Sequence, residues 1–90
     1  MSAVSRTVRI VNRRGLHARA SAKFVTLAAG QPTEVHVGKD GSEVTGTSIM
    51  GLMMLGAAMG DSVVITAEGD GAEAAVEAMA ALVEAKFGEE

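Results

Sequence analysis

Apolar and polar residues alternate in "RTVRIV", Arg6 to Val11, where Val8 and Ile10 fall on one side and Thr7 and Arg9 on the other. A period of two predicts a half-buried strand, which Gly15 breaks. The period then changes. From Ala18 to Ala29, Ala20, Phe24, Leu27 and Ala28 share one stripe of a helical repeat while Arg19, Lys23 and Thr26 lie off it, which predicts a helix. Gly30 ends that helix and Pro32 keeps it from resuming. Alternation returns in "TEVHV", with Thr33, Val35 and Val37 opposite Glu34 and His36. "GKDG" then supplies a turn and "SEVT", Ser42 to Thr45, a returning strand, so this stretch reads as a hairpin. "SIMGLMML", Ser48 to Leu55, is a short apolar helix with Ser48 as its cap. "DSVVITAEG" places Val63, Ile65 and Ala67 on one face of a further strand. Asp70 and Glu73 then form an acidic variant of the capping box. Ala72, Ala75, Val76, Met79, Leu82, Val83 and Lys86 follow helical spacing against Glu73, Glu77 and Glu84.

The resulting order is βαββαβα, and every strand carries one apolar face. That combination predicts an α+β fold: an open-faced β-sandwich, a four-stranded antiparallel sheet with three helices on one face. Ninety residues suffice for one small core, and no linker or composition shift divides them, so residues 1–90 are expected to form a single domain. "AEAAVEAMAALVEA" is rich in alanine, but its period marks an amphipathic helix rather than a low-complexity tract.

Composition narrows the function classes. With 48% hydrophobic and 21% charged residues the chain has the make-up of a folded protein. The absence of cysteine excludes a disulfide scaffold and any thiolate metal site, and fits a reducing compartment. No leader-like segment or long apolar run is apparent, so the expectation is a cytoplasmic protein without membrane insertion. The net charge of -3 is unevenly spread: Arg6, Arg9, Arg13, Arg14, Arg19 and Lys23 all precede the first acidic residue, Glu34. Such a basic third suits phosphate groups or acidic partners, or is simply a solvated face. It also raises a nucleic-acid-binding reading. An acidic total and only two aromatics, Phe24 and Phe87, leave no stacking platform for bases, so no nucleic-acid partner is expected.

The most informative stretch is "NRRGLHARASAKF", Asn12 to Phe24, with a histidine where the first helix begins. Histidine is an uncommon N-cap, since Ser, Thr, Asp and Asn cap better. At that place the unpaired N–H groups of the first turn, Ala18 foremost, face its side chain together with the positive end of the helix dipole. A phosphoryl group on the imidazole would meet those donors and the Arg19 guanidinium, while a ring nitrogen stays available as nucleophile. Standing alone, a histidine between arginines is more often a surface loop residue.

The wider string tips that balance. "GLHARASAKFV", Gly15 to Val25, resembles the active-site motif of HPr, the histidine-containing phosphocarrier of the bacterial phosphotransferase system. "TSIMGLMMLGAAMGDSV", Thr47 to Val63, resembles the second motif of the same family, and the separation of His17 from Ser48 fits it too. The resemblance covers nearly the whole chain and implies the same open-faced sandwich. It implies that His17 accepts phosphate on Nδ1 from phosphorylated enzyme I and passes it to IIA-type proteins, with Arg19 steadying the phosphate. Ser48 matches the family's regulatory serine, the substrate of HPr kinase/phosphorylase, although capping alone accounts for a serine there. By family position Leu52 and Leu55 point inward, while Ile49, Met50 and Met53 point outward and, with Ala22 and Lys23, bind partners. The plainer alternative for these methionines is a buried helix.

One departure from the family pattern is Ala20, which stands where proline usually follows the arginine. Alanine restores an N–H and removes a constraint at the first turn. The variant resembles HPr-like proteins of the nitrogen-type, regulatory branch. The chain lacks paired carboxylates near His17, a glycine-rich nucleotide loop and a serine-base arrangement, so it reads as a covalent carrier and not an enzyme. The alternative within the family is a regulatory binding module without carrier activity. A monomer is expected of a protein that must enter other proteins' active sites, with no metal or organic cofactor, and His36 has no assigned role.

Overall fold

The computed structural model describes residues 3–89. Its elements run β1 (Ala3–Arg9), α1 (Ala18–Ala29), β2 (Val35–Lys39), β3 (Ser42–Thr45), α2 (Ile49–Met54), β4 (Ser62–Glu68) and α3 (Ala72–Glu84), followed by a short 3-10 turn, Lys86–Gly88. The four strands form one antiparallel sheet in the order β1-β4-β2-β3. Val8, Val35, Val37, Val63, Ile65 and Ala67 are buried, and the alternate positions of the same strands form the open face. Against the buried face lie Phe24 and Ala28 of α1, Leu52 of α2 and Val76, Met79 and Val83 of α3. Full burial of a side chain of this size stabilises by about 1.5–3 kcal/mol, so this layer dominates the fold's stability.

Several boundaries differ from the sequence expectations, each for a local reason. β1 starts three residues early because β4 is long enough to pair Ala3 with Glu68. Ile10 lies beyond the strand yet stays anchored: its N–H donates to Asp61 O, and its carbonyl accepts from Gly60 N–H, both at 2.8 Å. In the hairpin, Lys39 belongs to β2 and pairs with Ser42, so the turn shrinks to Asp40 and Gly41. Both have positive φ, 51° and 86°, as a two-residue type I′ turn requires.

The expected capping box at Asp70 and Glu73 is absent. The N-cap of α3 is Gly71, at φ 83° with no side-chain cap bond, one position past Asp70. A Cβ there would overlap the Pro32 ring, so the close approach to Pro32 selects glycine over a capping side chain. Lys86 also departs from expectation. The helix stops at Glu84, Lys86 is exposed, and left-handed φ values of 60° and 55° at Lys86 and Phe87 swing the Phe87 ring into the core. That turn carries the following residues back toward the start of α1.

Candidate phosphoryl-acceptor site

The loop 10–17 brings the histidine to the surface end of α1. Gly15 adopts φ 64°, and a Cβ at this position would collide with Ala57 O, so only glycine lets the loop lie against the segment after α2. The next residue, Leu16, is buried and donates its N–H to Ala57 O at 3.0 Å. Ser21 is buried as well, and its hydroxyl donates to Leu16 O at 3.2 Å. His17 is thus delivered by a loop fixed on both sides.

His17 is the N-cap of α1, with extended φ and ψ of -73° and 179°, as expected from the sequence. Its Nδ1 accepts the N–H of Arg19 at 3.2 Å, so the donor that reaches the ring comes from Arg19, one residue beyond Ala18. A nitrogen that accepts an N–H carries no proton of its own. The ring proton therefore sits on Nε2, which faces Glu89 Oε2 at 2.5 Å. The other Glu89 oxygen accepts from Asn12 Nδ2 at 3.1 Å, and the same amide donates to Gly15 O at 2.8 Å. Asn12 is fully buried, and its Oδ1 has no partner among the described residues. The hydrogen bond from His17, then that from Asn12 and the positive charge of Arg19, hold the Glu89 carboxyl below the ordinary glutamate range, against the opposing effect of desolvation.

Beside this network a pocket of about 300 Å³ is lined by Arg13, Arg14, Arg19 and Glu89. Three guanidiniums around one carboxylate give this pocket an excess of positive charge, and it adjoins His17 through Glu89, which is chemistry suited to a phosphoryl group. The basic third of the sequence is otherwise dispersed. Arg6 turns to Glu77 and Glu84 on α3, and Lys23 donates to the Phe87 carbonyl at 2.8 Å. Glu89, Asn12, Arg13 and Arg14 were not singled out as site residues from sequence. Among them only the two arginines carried a signal, as part of the basic run.

The second predicted site lies on α2, which packs against α1. Ser48 is its N-cap and accepts the Gly51 N–H at 2.9 Å. Leu52 is fully buried and Leu55 half-buried, whereas Ile49, Met50 and Met53 are exposed, together with Met54 and Met59, which the sequence reading had not placed outward. The apolar helix is therefore not a buried one. On α1, Ala22 and Lys23 line a shallow groove with Arg19, Thr26, Leu27 and Leu82. His36 lies on the open sheet face, with Nε2 3.7 Å from Glu34 Oε1. Among the described residues no cluster of three or more metal-ligating side chains occurs, and no helix is long and apolar enough to cross a membrane.

Comparison with known proteins gives this arrangement a context. Residues 4–85 match the family PTS-HPr, described as the PTS HPr component phosphorylation site. The chain is 41% identical over 86 residues to the phosphocarrier protein HPr of Cupriavidus necator, across 96% of this chain and 97% of that protein. It is 38% identical over 89 residues to the phosphocarrier protein NPr of Shewanella violacea, across 99% and 98% of the two. The crystal structure of an HPr from Thermoanaerobacter tengcongensis shares the fold with a TM-score of 0.89 at 46% identity, covering 100% of this chain and 99% of that one. A matched family spanning nearly the whole chain, the βαββαβα order and a histidine cap at the head of α1 agree: the chain belongs to the HPr family and is a phosphocarrier protein of the phosphotransferase system.

Proposed function

We propose that His17 is the phosphoryl acceptor and that Nδ1 is the atom that carries the group. The observation that carries this reading is the orientation of the ring: Nδ1 is unprotonated and lies against the N–H of Arg19, while Nε2 is engaged by Glu89. A phosphoryl group on Nδ1 takes over the Arg19 N–H as a donor to its oxygens. It also meets the positive end of α1 and the guanidinium of Arg19. The first-turn N–H of Ala18 adds a further dipole directed at the same place. In this reading the chain is a single domain and a covalent carrier, a substrate of partner enzymes and not an enzyme itself.

The donor is phosphorylated enzyme I and the acceptors are IIA-type proteins, serving sugar transport, regulation or both. Ile49, Met50 and Met53 supply the adaptable apolar part of the docking surface, with Ala22 and Lys23 continuing it onto α1. Ser48 is a regulatory phosphorylation site for HPr kinase/phosphorylase. A phosphate there sits at a helix N-terminus and is tolerated by the fold, while its charge beside an apolar patch repels acidic partners. The protein acts in the cytoplasm as a monomer, without metal or nucleic acid.

The test is phosphoryl transfer. The protein is incubated with enzyme I, Mg²⁺ and phosphoenolpyruvate, and the label is followed by intact mass and by acid lability. An acid-labile phosphate that disappears in His17→Ala supports the carrier reading. No label on a folded sample, with an enzyme I active on another HPr, overturns it in favour of a binding module without carrier activity.

A further inference from the structure

We propose that Glu89 is a positioning residue of the transfer site, which selects the tautomer of His17 and balances the charge that its ring acquires when Nδ1 takes the phosphoryl group. The proposal rests on the assignment of His17 as acceptor and adds a group that lies 72 residues away in sequence. Three observations carry it. First, Glu89 Oε2 faces Nε2 at 2.5 Å while the Arg19 N–H faces Nδ1 at 3.2 Å, so the two ring nitrogens have opposite partners. A carboxylate only accepts and an N–H only donates, so together they permit one neutral tautomer, protonated on Nε2. Second, Glu89 is itself held: Asn12 Nδ2, anchored in the core, donates to its second oxygen. Third, the turn that delivers Glu89 is fixed by the buried Phe87 ring and by Lys23, which donates to the Phe87 carbonyl.

The chemistry gives these contacts a purpose. The lone pair of Nδ1 forms the new N–P bond as the donor's bond to phosphorus breaks, its electron pair leaving with the donor atom. The proton on Nε2 remains, so the imidazole ring of His17 becomes cationic. That charge develops beside the Glu89 carboxylate, which already accepts the Nε2–H. On return the same carboxylate releases a neutral ring, as the phosphoryl group departs to the acceptor. The arrangement parallels the aspartate of a serine-histidine-aspartate triad, which orients an imidazole and stabilises its cation without taking the proton. Arg13, Arg14 and Arg19 share a pocket with Glu89 and supply positive charge for the phosphoryl oxygens, while Glu89 alone engages Nε2.

The experiment compares the wild type with Glu89→Ala and Glu89→Gln. Long-range ¹⁵N–¹H spectra of the imidazole above the ordinary histidine titration range report which nitrogen bears the proton. Steady-state transfer from enzyme I reports kcat and KM. The wild type is expected as the Nε2–H tautomer, Glu89→Ala as a mixture with kcat reduced roughly 10- to 100-fold and KM unchanged, the size seen when the partner orienting a metal-bound histidine is removed. Glu89→Gln keeps an acceptor at Nε2 without the charge, so it retains the tautomer and recovers part of kcat. A wild-type tautomer in Glu89→Ala with kcat within twofold overturns the proposal. So does a change confined to KM, which makes Glu89 a docking contact. Absence of label in the wild type overturns the carrier reading instead, and the spectra still decide whether Glu89 orients the ring.

Discussion

Two helix N-termini in this protein use the same backbone device for different ends. His17 and Ser48 both have extended cap geometry, and each side chain accepts an N–H from its own helix, at 3.2 Å from Arg19 and 2.9 Å from Gly51. His17 meets Glu89, which shares a pocket with Arg13, Arg14 and Arg19. Around Ser48 stand exposed apolar groups, Ile49, Met50 and Met53. Serine is a good cap and histidine a poor one, so the first terminus gives up a capping quality that the second keeps. In the proposed function, charge marks the terminus where a group is transferred, and uncharged apolar surface marks the one where partners rest.

The largest expected effect breaks the comparison outright. His17→Ala abolishes the acid-labile phosphate read by intact mass, whereas Ser48→Ala leaves it in place. A label that survives His17→Ala moves the acceptor elsewhere. Next in size is Gly15→Ala, which acts on the junction between the two termini. An alanine at φ 64° bears a left-handed penalty of about 1–2 kcal/mol, and its Cβ also meets Ala57 O, so a total loss of at least about 2 kcal/mol is expected in urea unfolding. A neutral result shows that the loop adjusts without cost. Since Leu16 loses its seat on Ala57 O in this variant, transfer to His17 slows as well, while the Ser48 cap persists.

A smaller effect separates capping from regulation at Ser48. Ser48→Ala should lower stability by about 1 kcal/mol, the usual cost of losing a serine cap. Ser48→Asp keeps a capping oxygen and adds negative charge at the helix N-terminus, so it should leave stability near the wild type and weaken binding to enzyme I in titration calorimetry. An unchanged affinity in Ser48→Asp removes the regulatory role and leaves Ser48 a cap alone.

The two termini also differ in how much of them the sequence carried. The span of α1, the span of β3 and both caps follow from neighbouring residues: a period of 3.6, a period of two, and a polar side chain before a helix. The exposed side of α2 came from the family resemblance instead, because a short helix apolar all round does not say which of its residues, Leu52 or Ile49, Met50 and Met53, faces the core. Glu89 was not legible either way. It meets His17 only because the left-handed turn at Lys86 and Phe87 folds the chain back, and no local pattern announces such a turn in residues that are not glycine. Asp70 shows the opposite failure. Its local pattern announced a cap, and the packing of Gly71 on Pro32, from a distant turn, moved the helix start by one residue. Local signals place elements, and contacts between distant segments complete the site.

The smallest effect sharpens the contrast between a titrating terminus and one that does not titrate. Glu89 has its carboxyl held below the ordinary glutamate value, first by the hydrogen bond from His17. In the unfolded chain the carboxyl returns to the ordinary glutamate value, so in the acid range the unfolded state binds more protons than the folded one. The stability that Glu89 contributes is therefore complete above that unfolded value and is lost as pH falls through the lower folded value. Urea unfolding of the wild type and Glu89→Gln across the acid range should show a difference that is constant near neutrality and shrinks on acidification. The difference between the wild type and Ser48→Ala should stay flat over the same range, because the serine hydroxyl and the Gly51 N–H do not titrate there. A Glu89 difference that is equally flat would mean that the carboxylate gains nothing from its ionised form, and the two termini would then be alike in the one respect that most separates them.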